Sequence, residues 1–379
     1  MENFDETLKA LEAHLRQNPD DAAAWNMKGV VHAQRTEFGE ALRCLDQALQ
    51  IDSGFVAAHT NKGRVLLSVG PEKAGIALKS FDTALGLKPD DTDALRDKAQ
   101  ALRVLGRAEE EIACYSKLVE QLPEEWGVWL RLGDLQLEVG DLKSAITSYN
   151  KSLKLKDDLT PAYIRRAIAF GLDEQFNDAL KSAETATKLE PDSAEAWLIR
   201  GDVNLRAGKL RSAMKALKKA SELDPTDASV ENTMGMVMYK QGDLKESVKH
   251  LRRAIIRKKN YPTAIRNLGL ILMELEEWQD ASNAFNQLVE CVKNDPDAYD
   301  AQATAFARLE DFCSAQEAWE KSRKLYKKIG EEKEAERVSR LGRVARINCR
   351  RIKKAIKAQR EQEKQTRTFA TRHEHRKKK

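Results

Sequence analysis

Histidine and cysteine are the residues of this 379-residue sequence that could most readily bind a metal or attack a substrate. None of the six histidines forms a pair at the helical spacing of a metal site, and only His373 and His375, on either side of Glu374, lie close together. No pair of the five cysteines has the short spacing of a zinc site. The pattern therefore predicts no metal site, and the His373-Glu374-His375 triplet is interpreted as part of a solvated tail.

The sequence contains only an incomplete match to a phosphate-binding loop and no match to a catalytic serine motif. Gly208-Lys209 resembles the end of a phosphate-binding loop, but Val203 stands where the first glycine is required and Leu210 replaces the hydroxyl residue. Nothing in the sequence resembles the strand-turn-helix motif that exposes a catalytic serine. The sequence therefore predicts a protein that is not an enzyme and that needs no cofactor.

Anion binding is the chemistry that the sequence favours, and it is concentrated near the C-terminal end. Residues 331–379 contain 18 Lys and Arg against 7 Asp and Glu, whereas the other residues contain 47 against 53. No acidic residue occurs between Arg337 and Arg360. In a helix these basic residues would recur every three or four positions and form a cationic stripe about 30 Å long. The candidate anion-binding residues are Arg340, Arg343, Arg346, Arg350, Arg351, Lys353, Lys354, Lys357 and Arg360.

RNA or a ribonucleoprotein such as the ribosome is the partner that best fits this stripe, because each neutralised phosphate releases counterions. The stretch lacks interleaved aromatic residues, so base stacking is not indicated. Two alternatives stay open, a merely solubilising tail and a tail that folds back on its own acidic repeats. Membrane binding is disfavoured because the helix has no Trp, Phe or Tyr to insert. A second basic cluster, between Lys249 and Lys259, is interpreted as solvated helix surface or as an extension of the same electrostatic footprint.

The rest of the chain is organised by a helical hairpin that recurs. Ala194 to Asp227 contains two amphipathic helical patterns separated by Ala207-Gly208-Lys209. Such a hairpin cannot bury its apolar faces alone and needs neighbours like itself. Small residues supply the first repeating position, 34 residues apart except for one step of 36: Gly29, Gly63, Ala99, Gly133, Ala167, Gly201, Gly235, Gly269 and Ala303. The same step of 36 recurs at a second position, between Ala41 and Ala77, which places two extra residues near Gly70-Pro71.

This pattern resembles the tetratricopeptide repeat family. The aromatic residue, glycine, alanine, bulky residue and closing proline of the family motif stand as Trp197, Gly201, Ala213, Leu217 and Pro225. The resemblance implies an all-α fold, a right-handed superhelical solenoid of helix-turn-helix hairpins, whose concave groove binds a protein or peptide segment. Trp25-Gly29-Ala41-Leu45 and Trp129-Gly133-Ala145-Tyr149 repeat the motif, and Glu111, Glu231 and Ser247 depart from it.

The resemblance also implies which residues of the first helices face the groove. In repeats 4 to 8 these positions are unexpectedly apolar, which is typical either of a partner site or of burial between adjacent repeats. The candidate groove residues are Leu130, Asp134, Leu137, Ile164, Ile168, Leu198, Asp202, Leu205, Met236, Tyr239, Arg266, Leu270 and Met273.

A chaperone carboxylate clamp is not expected. Asn61 matches one position of that clamp, but Asn26 stands where a lysine is needed. Asp93 and Asp97 replace the third-repeat basic pair and would repel a carboxylate.

The predicted domains are an N-terminal capping helix over residues 1–21, nine repeats over 22–329, a basic amphipathic capping helix over 330–360 and a disordered tail over 361–379. In the capping helix Val338, Leu341, Ala345, Ile352 and Ile356 are expected to pack on the last repeat.

The acidic N-terminus predicts no secretory signal, and the absence of a long apolar run predicts no transmembrane helix. A cytoplasmic protein with five free thiols is the resulting prediction. Its function is predicted to be that of a protein-binding scaffold tethered through the basic helix. The alternative is an autoinhibited adaptor whose tail occupies its own groove until a partner displaces it.

Overall fold

The structure, a computed structural model, describes the backbone of residues 4–377 and the side chains of residues 4–364. The described residues form α-helices, one short 3-10 helix and the turns that connect them, with no strand. They divide into two compact units, residues 1–191 and 192–379. The all-α fold class predicted from the repeat is confirmed.

The first unit consists of one helix followed by five helical hairpins. Its helices are α1 (Phe4–Gln17), α2 (Ala22–Gln34), α3 (Phe38–Ile51), α4 (Val56–Val69), α5 (Ala74–Leu87), α6 (Thr92–Val104), α7 (Ala108–Gln121), α8 (Trp126–Glu138), α9 (Leu142–Leu155), α10 (Thr160–Leu172) and α11 (Phe176–Leu189). A 3-10 helix, Pro71–Lys73, lies between α4 and α5. The prediction that the extra residues fall at Gly70-Pro71 is therefore confirmed.

The second unit consists of four hairpins and one long helix. Its helices are α12 (Ala194–Arg206), α13 (Leu210–Leu223), α14 (Ala228–Gln241), α15 (Leu244–Arg257), α16 (Pro262–Glu274), α17 (Trp278–Cys291), α18 (Pro296–Arg308), α19 (Phe312–Lys328) and α20 (Glu332–Lys377). Within each unit a helix packs against the next one along the chain, and consecutive first helices such as α12 and α14 also contact each other.

Close approach of the two helices in a hairpin explains the small residue at the first repeating position. A Cβ atom added at Gly133 would lie 2.7 Å from Cε1 of the buried Tyr149, and one at Gly201 would lie 2.6 Å from Cδ2 of Leu217. Each glycine thus provides the space into which the bulky residue of the second helix packs.

The long helix α20 packs on the last hairpin with only the first part of its apolar stripe. Ala335, Val338 and Ala345 are buried with Trp319 and Tyr326 of α19. By contrast, Leu341, Ile352 and Ile356 are 38%, 37% and 44% exposed, so the prediction that they pack on the last repeat is wrong. Leu341 lies on the flank of the contact face. The other two follow the point where α20 reaches the first turn of α19, and beyond that point α19 offers no surface to cover them.

A disulfide bond joins Cys313, in the first turn of α19, to Cys349 of α20. The prediction of five free thiols is therefore wrong for these two cysteines, while Cys44, Cys114 and Cys291 are free. Because α20 runs back along α19, residues 36 positions apart in sequence lie with their Cα atoms 5.0 Å apart. Burial raises the pKa of the Cys44 and Cys114 thiols.

The helical backbone of α20 continues through Lys377, although the polar composition of residues 361–379 predicts disorder. Residues 361–364 are Glu, Gln, Glu and Lys, and all of these residue types have a strong helix propensity.

Candidate protein-binding faces and basic helix

The candidate groove residues of α8 are largely covered by contacts within the first unit. On α8, Leu130 and Leu137 pack against the core around Ala145 and Tyr149. Asp134 accepts a hydrogen bond of 2.9 Å from the Tyr149 hydroxyl. Burial, together with the charge of Asp134, raises the pKa of Tyr149.

On α10 the two candidate groove residues differ in accessibility. Ile168 is half-buried. Ile164 is only 3% exposed, so its assignment to an accessible groove is corrected. The first helices α8 and α10 contact each other, and side chains between them are therefore covered.

The polar and charged candidates of the second unit are engaged by neighbouring side chains. Asp202 binds Arg206 one turn later on α12, at 2.7 Å. Arg266 forms an ion pair with Asp295, the N-cap residue of α18. The hydrogen bond with Glu274 raises the pKa of Tyr239. These contacts hold the first helices in place and leave Asp202 and Arg266 partly neutralised.

The apolar candidates of the second unit pack to different extents. Leu198 and Leu205 contact the core cluster of α13 and α14, and Tyr239 and Met273 contact that of α15 to α18. Met236 is half-buried. Leu270 is 50% exposed and is the most accessible of the candidate groove residues. Burial between adjacent first helices thus accounts for much of the apolar character that the sequence showed at these positions.

The basic helix presents all nine of its candidate residues to solvent. Each of them, from Arg340 to Arg360, is exposed, and none forms an ion pair with another described residue. Arg337 differs, because it donates hydrogen bonds to Asp300 of α18 and to Glu334, which raise its pKa. Arg337 therefore helps to anchor α20, while the residues after it remain free to meet an anionic partner.

Two residues of the cationic stripe also border a cleft between α19 and α20. This cleft has a volume of about 190 Å³, and Trp319, Arg323, Arg343 and Arg346 are among its lining residues. Arg323 is held by two hydrogen bonds to Glu320. The sequence pattern on α20 alone could not show this juxtaposition, because the cleft needs residues of both helices.

The side chains at the positions that a carboxylate clamp would use form hydrogen bonds or ion pairs with one another or with neighbouring residues of the first repeats. The Asn61 amide donates a hydrogen bond of 2.9 Å to the side-chain oxygen of Asn26. Asp97 is paired with Arg64 across consecutive first helices.

Neither a metal-binding cluster nor a membrane-spanning helix is found in the part of the chain that the structure describes. Its side chains include no group of three or more His, Cys, Asp or Glu residues suited to hold a metal ion. The triplet around Glu374 lies outside the described side chains. No described helix combines the length and the apolar character that crossing a bilayer requires.

Comparison with known families identifies the repeat. Residues 76–341 match the family described as the cilia and flagella-associated protein 70 C-terminal domain, and residues 1–56 match the tetratricopeptide repeat. The chain belongs to this tetratricopeptide repeat family. Its membership agrees with the 34-residue period and with the packing of Gly133 and Gly201.

Curated relatives of this tetratricopeptide repeat protein share only part of its length. Protein FlbA of Caulobacter vibrioides is 31% identical over 165 residues, which cover 43% of this chain and 26% of FlbA. The peroxisomal targeting signal receptor of Saccharomyces cerevisiae is 34% identical over 79 residues, or 20% of this chain and 13% of the receptor. The chain therefore matches about a quarter or less of the length of either relative.

Among solved structures, the crystal structure of yeast Tom70 superimposes with a TM-score of 0.58 at 14% identity. The match covers 92% of this chain and 86% of the Tom70 chain, and it establishes the shared fold. Tetratricopeptide repeats form a protein-interaction scaffold that is typically non-enzymatic, and this chain has that scaffold.

Proposed function

We propose that this protein holds a segment of a partner protein on the first-helix faces of its repeats, and that α20 tethers the assembly to RNA or to a ribonucleoprotein such as the ribosome. The observation that carries the proposal is the cationic stripe of α20, in which nine exposed Lys and Arg residues form no ion pair with any described residue. Leu270, an apolar residue that is 50% exposed on the first helix α16, supports partner binding. A relative named as a receptor for a targeting signal adds support for recognition of a peptide.

The tether follows from the arrangement of charge on α20. A solvated helix face normally mixes positive and negative residues, whereas residues 338–359 contain no acid at all. The stripe runs for about 30 Å along a helix and can neutralise several phosphates at once. Without aromatic residues between Arg340 and Arg360, binding would read backbone phosphate and not base sequence.

The groove is tested most cleanly at Leu270, because most of the other candidates also support the fold. Leu270→Asp adds a charge to a half-exposed position and should abolish capture of the partner from native lysate while leaving the helical circular dichroism unchanged. Leu87→Asp is the matched control, since Leu87 is 48% exposed on α5, a second helix. Equal capture by both variants would refute the groove assignment.

The tether is tested in the same capture experiment with and without nuclease, using the full chain and a variant in which Arg343, Arg350 and Lys357 are replaced by Gln. Loss of a nuclease-sensitive set of ribosomal proteins or RNA from the variant is the expected result. If the variant instead captures more protein partner, and crosslinks between residues 337–360 and repeats 4 to 8 disappear with it, the autoinhibited adaptor is the correct description.

A further inference from the structure

The outer surface of the second unit carries basic residues that belong neither to the first-helix face nor to α20. They lie on α13 and α15, the second helices of consecutive hairpins, which both pack against α14. Three pairs stand 34 residues apart, namely Arg211 with Lys245, Lys215 with Lys249, and Lys218 with Arg252. A fourth pair, Lys219 with Arg253, follows immediately. Members of each pair occupy equivalent positions in the repeat, so the eight residues form two parallel rows, here termed the basic rows.

Most of the positive charge in the basic rows is not neutralised. Seven of the eight side chains are exposed and Lys219 is partly so. Lys219 pairs with Glu222, Lys249 with Glu246, and Arg252 with Asp280. The remaining five form no ion pair with any residue that the structure describes. The surface therefore has a positive surplus that favours an anionic partner.

The rows do not continue into the repeat that follows them. At the equivalent positions of the next second helix, α17, the residues are Gln279, Asn283, Asn286 and Gln287, all without charge. A solvated surface does not require basic residues at four equivalent positions in two repeats and none at the same positions in the next. The basic residues therefore end between α15 and α17 and do not follow the repeat through the whole unit.

An exposed isoleucine distinguishes this patch from a surface for nucleic acid. Ile256 is 82% exposed and follows Arg252 and Arg253 by four and three residues, on the same face of α15. Phosphates would gain nothing from contact with Ile256, and neither α13 nor α15 contains a Phe, Tyr or Trp on which bases could stack. An apolar side chain among basic residues instead suits a protein segment that carries both carboxylates and an apolar residue.

We propose that the basic rows and Ile256 form a docking surface for an acidic amphipathic helix of a partner protein. Carboxylates three or four residues apart on that helix match the spacing of the basic residues along α13 and α15. An apolar residue within the acidic stripe covers Ile256. This surface is separate from the first-helix face and gives the scaffold a second interaction site.

The test measures the affinity of the full chain for a fluorescein-labelled, 20-residue synthetic helix that bears one stripe of glutamates and two leucines. Fluorescence anisotropy should show that Lys215→Glu with Lys249→Glu weakens binding by about tenfold or more, because each reversal replaces attraction by repulsion. Ile256→Ser, and replacement of the peptide leucines by serine, should each weaken binding by about fivefold through lost apolar burial. All variants keep wild-type circular dichroism, since the altered residues are exposed.

Two variants with the same change of charge make the test specific. Lys143→Glu with Lys151→Glu alters exposed residues of α9 at positions equivalent to Arg211 and Lys219, and Arg343→Glu with Arg350→Glu alters α20. Both should retain the affinity within about twofold. If either weakens binding as much as the row variant, or if single-stranded RNA binds the rows more tightly than the peptide and independently of Ile256, the proposal is overturned. Leu270→Asp leaves this binding unchanged, so failure of the proposed groove is distinguishable from failure of the docking surface.

Discussion

Two glutamates are the residues at which this chain departs most from an apolar repeat core. Glu111 stands at the second repeating position, where seven of the other eight repeats have alanine, and is 2% exposed. Arg131 and Arg103 of the neighbouring first helices bind it at 2.9 and 3.2 Å. Glu231, 5% exposed, is bound by His250 at 2.7 Å and by Arg257 at 2.9 Å. Each buried carboxylate is thus compensated by two side chains from adjacent helices.

Removal of one partner should therefore cost more than removal of the charge itself. Arg257→Ala leaves Glu231 buried with His250 alone and should lower the free energy of opening in α14 and α15 by about 2 kcal/mol. Glu231→Leu should cost less than about 1 kcal/mol, because the freed Arg257 and His250 side chains reach water at the surface. Native-state hydrogen exchange of the amides in these helices measures both values.

The double variant provides the decisive comparison. Glu231→Leu with Arg257→Ala removes both charges and should recover most of the stability that Arg257→Ala loses. Additive losses in the double variant would show that Arg257 acts through packing and not through the buried carboxylate.

At the scale of the element, the turn inside each hairpin requires a left-handed backbone conformation, and in some hairpins the residue there is not glycine. Four non-glycine residues adopt the left-handed conformation there, among them Glu174 and Glu276, each with φ of 59°. In other hairpins Gly208 and Gly242 occupy the equivalent position, with φ of 72° and 85°. A residue with a Cβ atom is strained in this conformation, whereas glycine adopts it freely.

Glu276→Gly should raise the free energy of opening of α16 and α17 by about 0.5–1 kcal/mol, since relief of strain exceeds the added entropy of the unfolded glycine. Gly242→Ala should lower the corresponding value for α14 and α15 by about 1 kcal/mol. Hydrogen exchange again gives both numbers, and an unchanged or reduced value for Glu276→Gly would contradict the strain argument.

The repeating elements could be predicted from the sequence because every hairpin solves the same packing problem. Small residues such as Gly133 and Gly201 mark the close approach of two helices, and Pro71 marks the single insertion. The burial of Ile164 depends on the approach of the adjacent first helix α8, and the exposure of Ile352 depends on where α19 begins. Neither could be predicted from the residue types alone. The same holds for the bond between Cys313 and Cys349, which an antiparallel course of α19 and α20 brings together.

The distribution of charge over the whole molecule separates two kinds of interaction. Outside residues 331–379 the chain has 47 basic and 53 acidic residues, so the repeats as a group repel polyanions weakly. The 18 basic residues of the C-terminal segment outnumber its 7 acidic ones and attract the same polyanions. Phosphate binding should therefore be confined to α20, and the repeats should bind partner proteins.

The salt dependence of RNA binding gives this separation a measurable form. Replacement of Arg343, Arg350 and Lys357 by Gln removes three exposed cations that have no acidic partner among the described residues. The slope of log Kd for single-stranded oligouridylate against log salt should become shallower by about 2, since each phosphate contact on a single strand contributes about 0.7. Lys143→Gln with Lys151→Gln, which neutralises two exposed lysines of α9, should leave the slope unchanged. A change in both variants in proportion to the number of charges removed would mean that RNA senses only the net charge of the chain, and α20 would then have no special role as a tether.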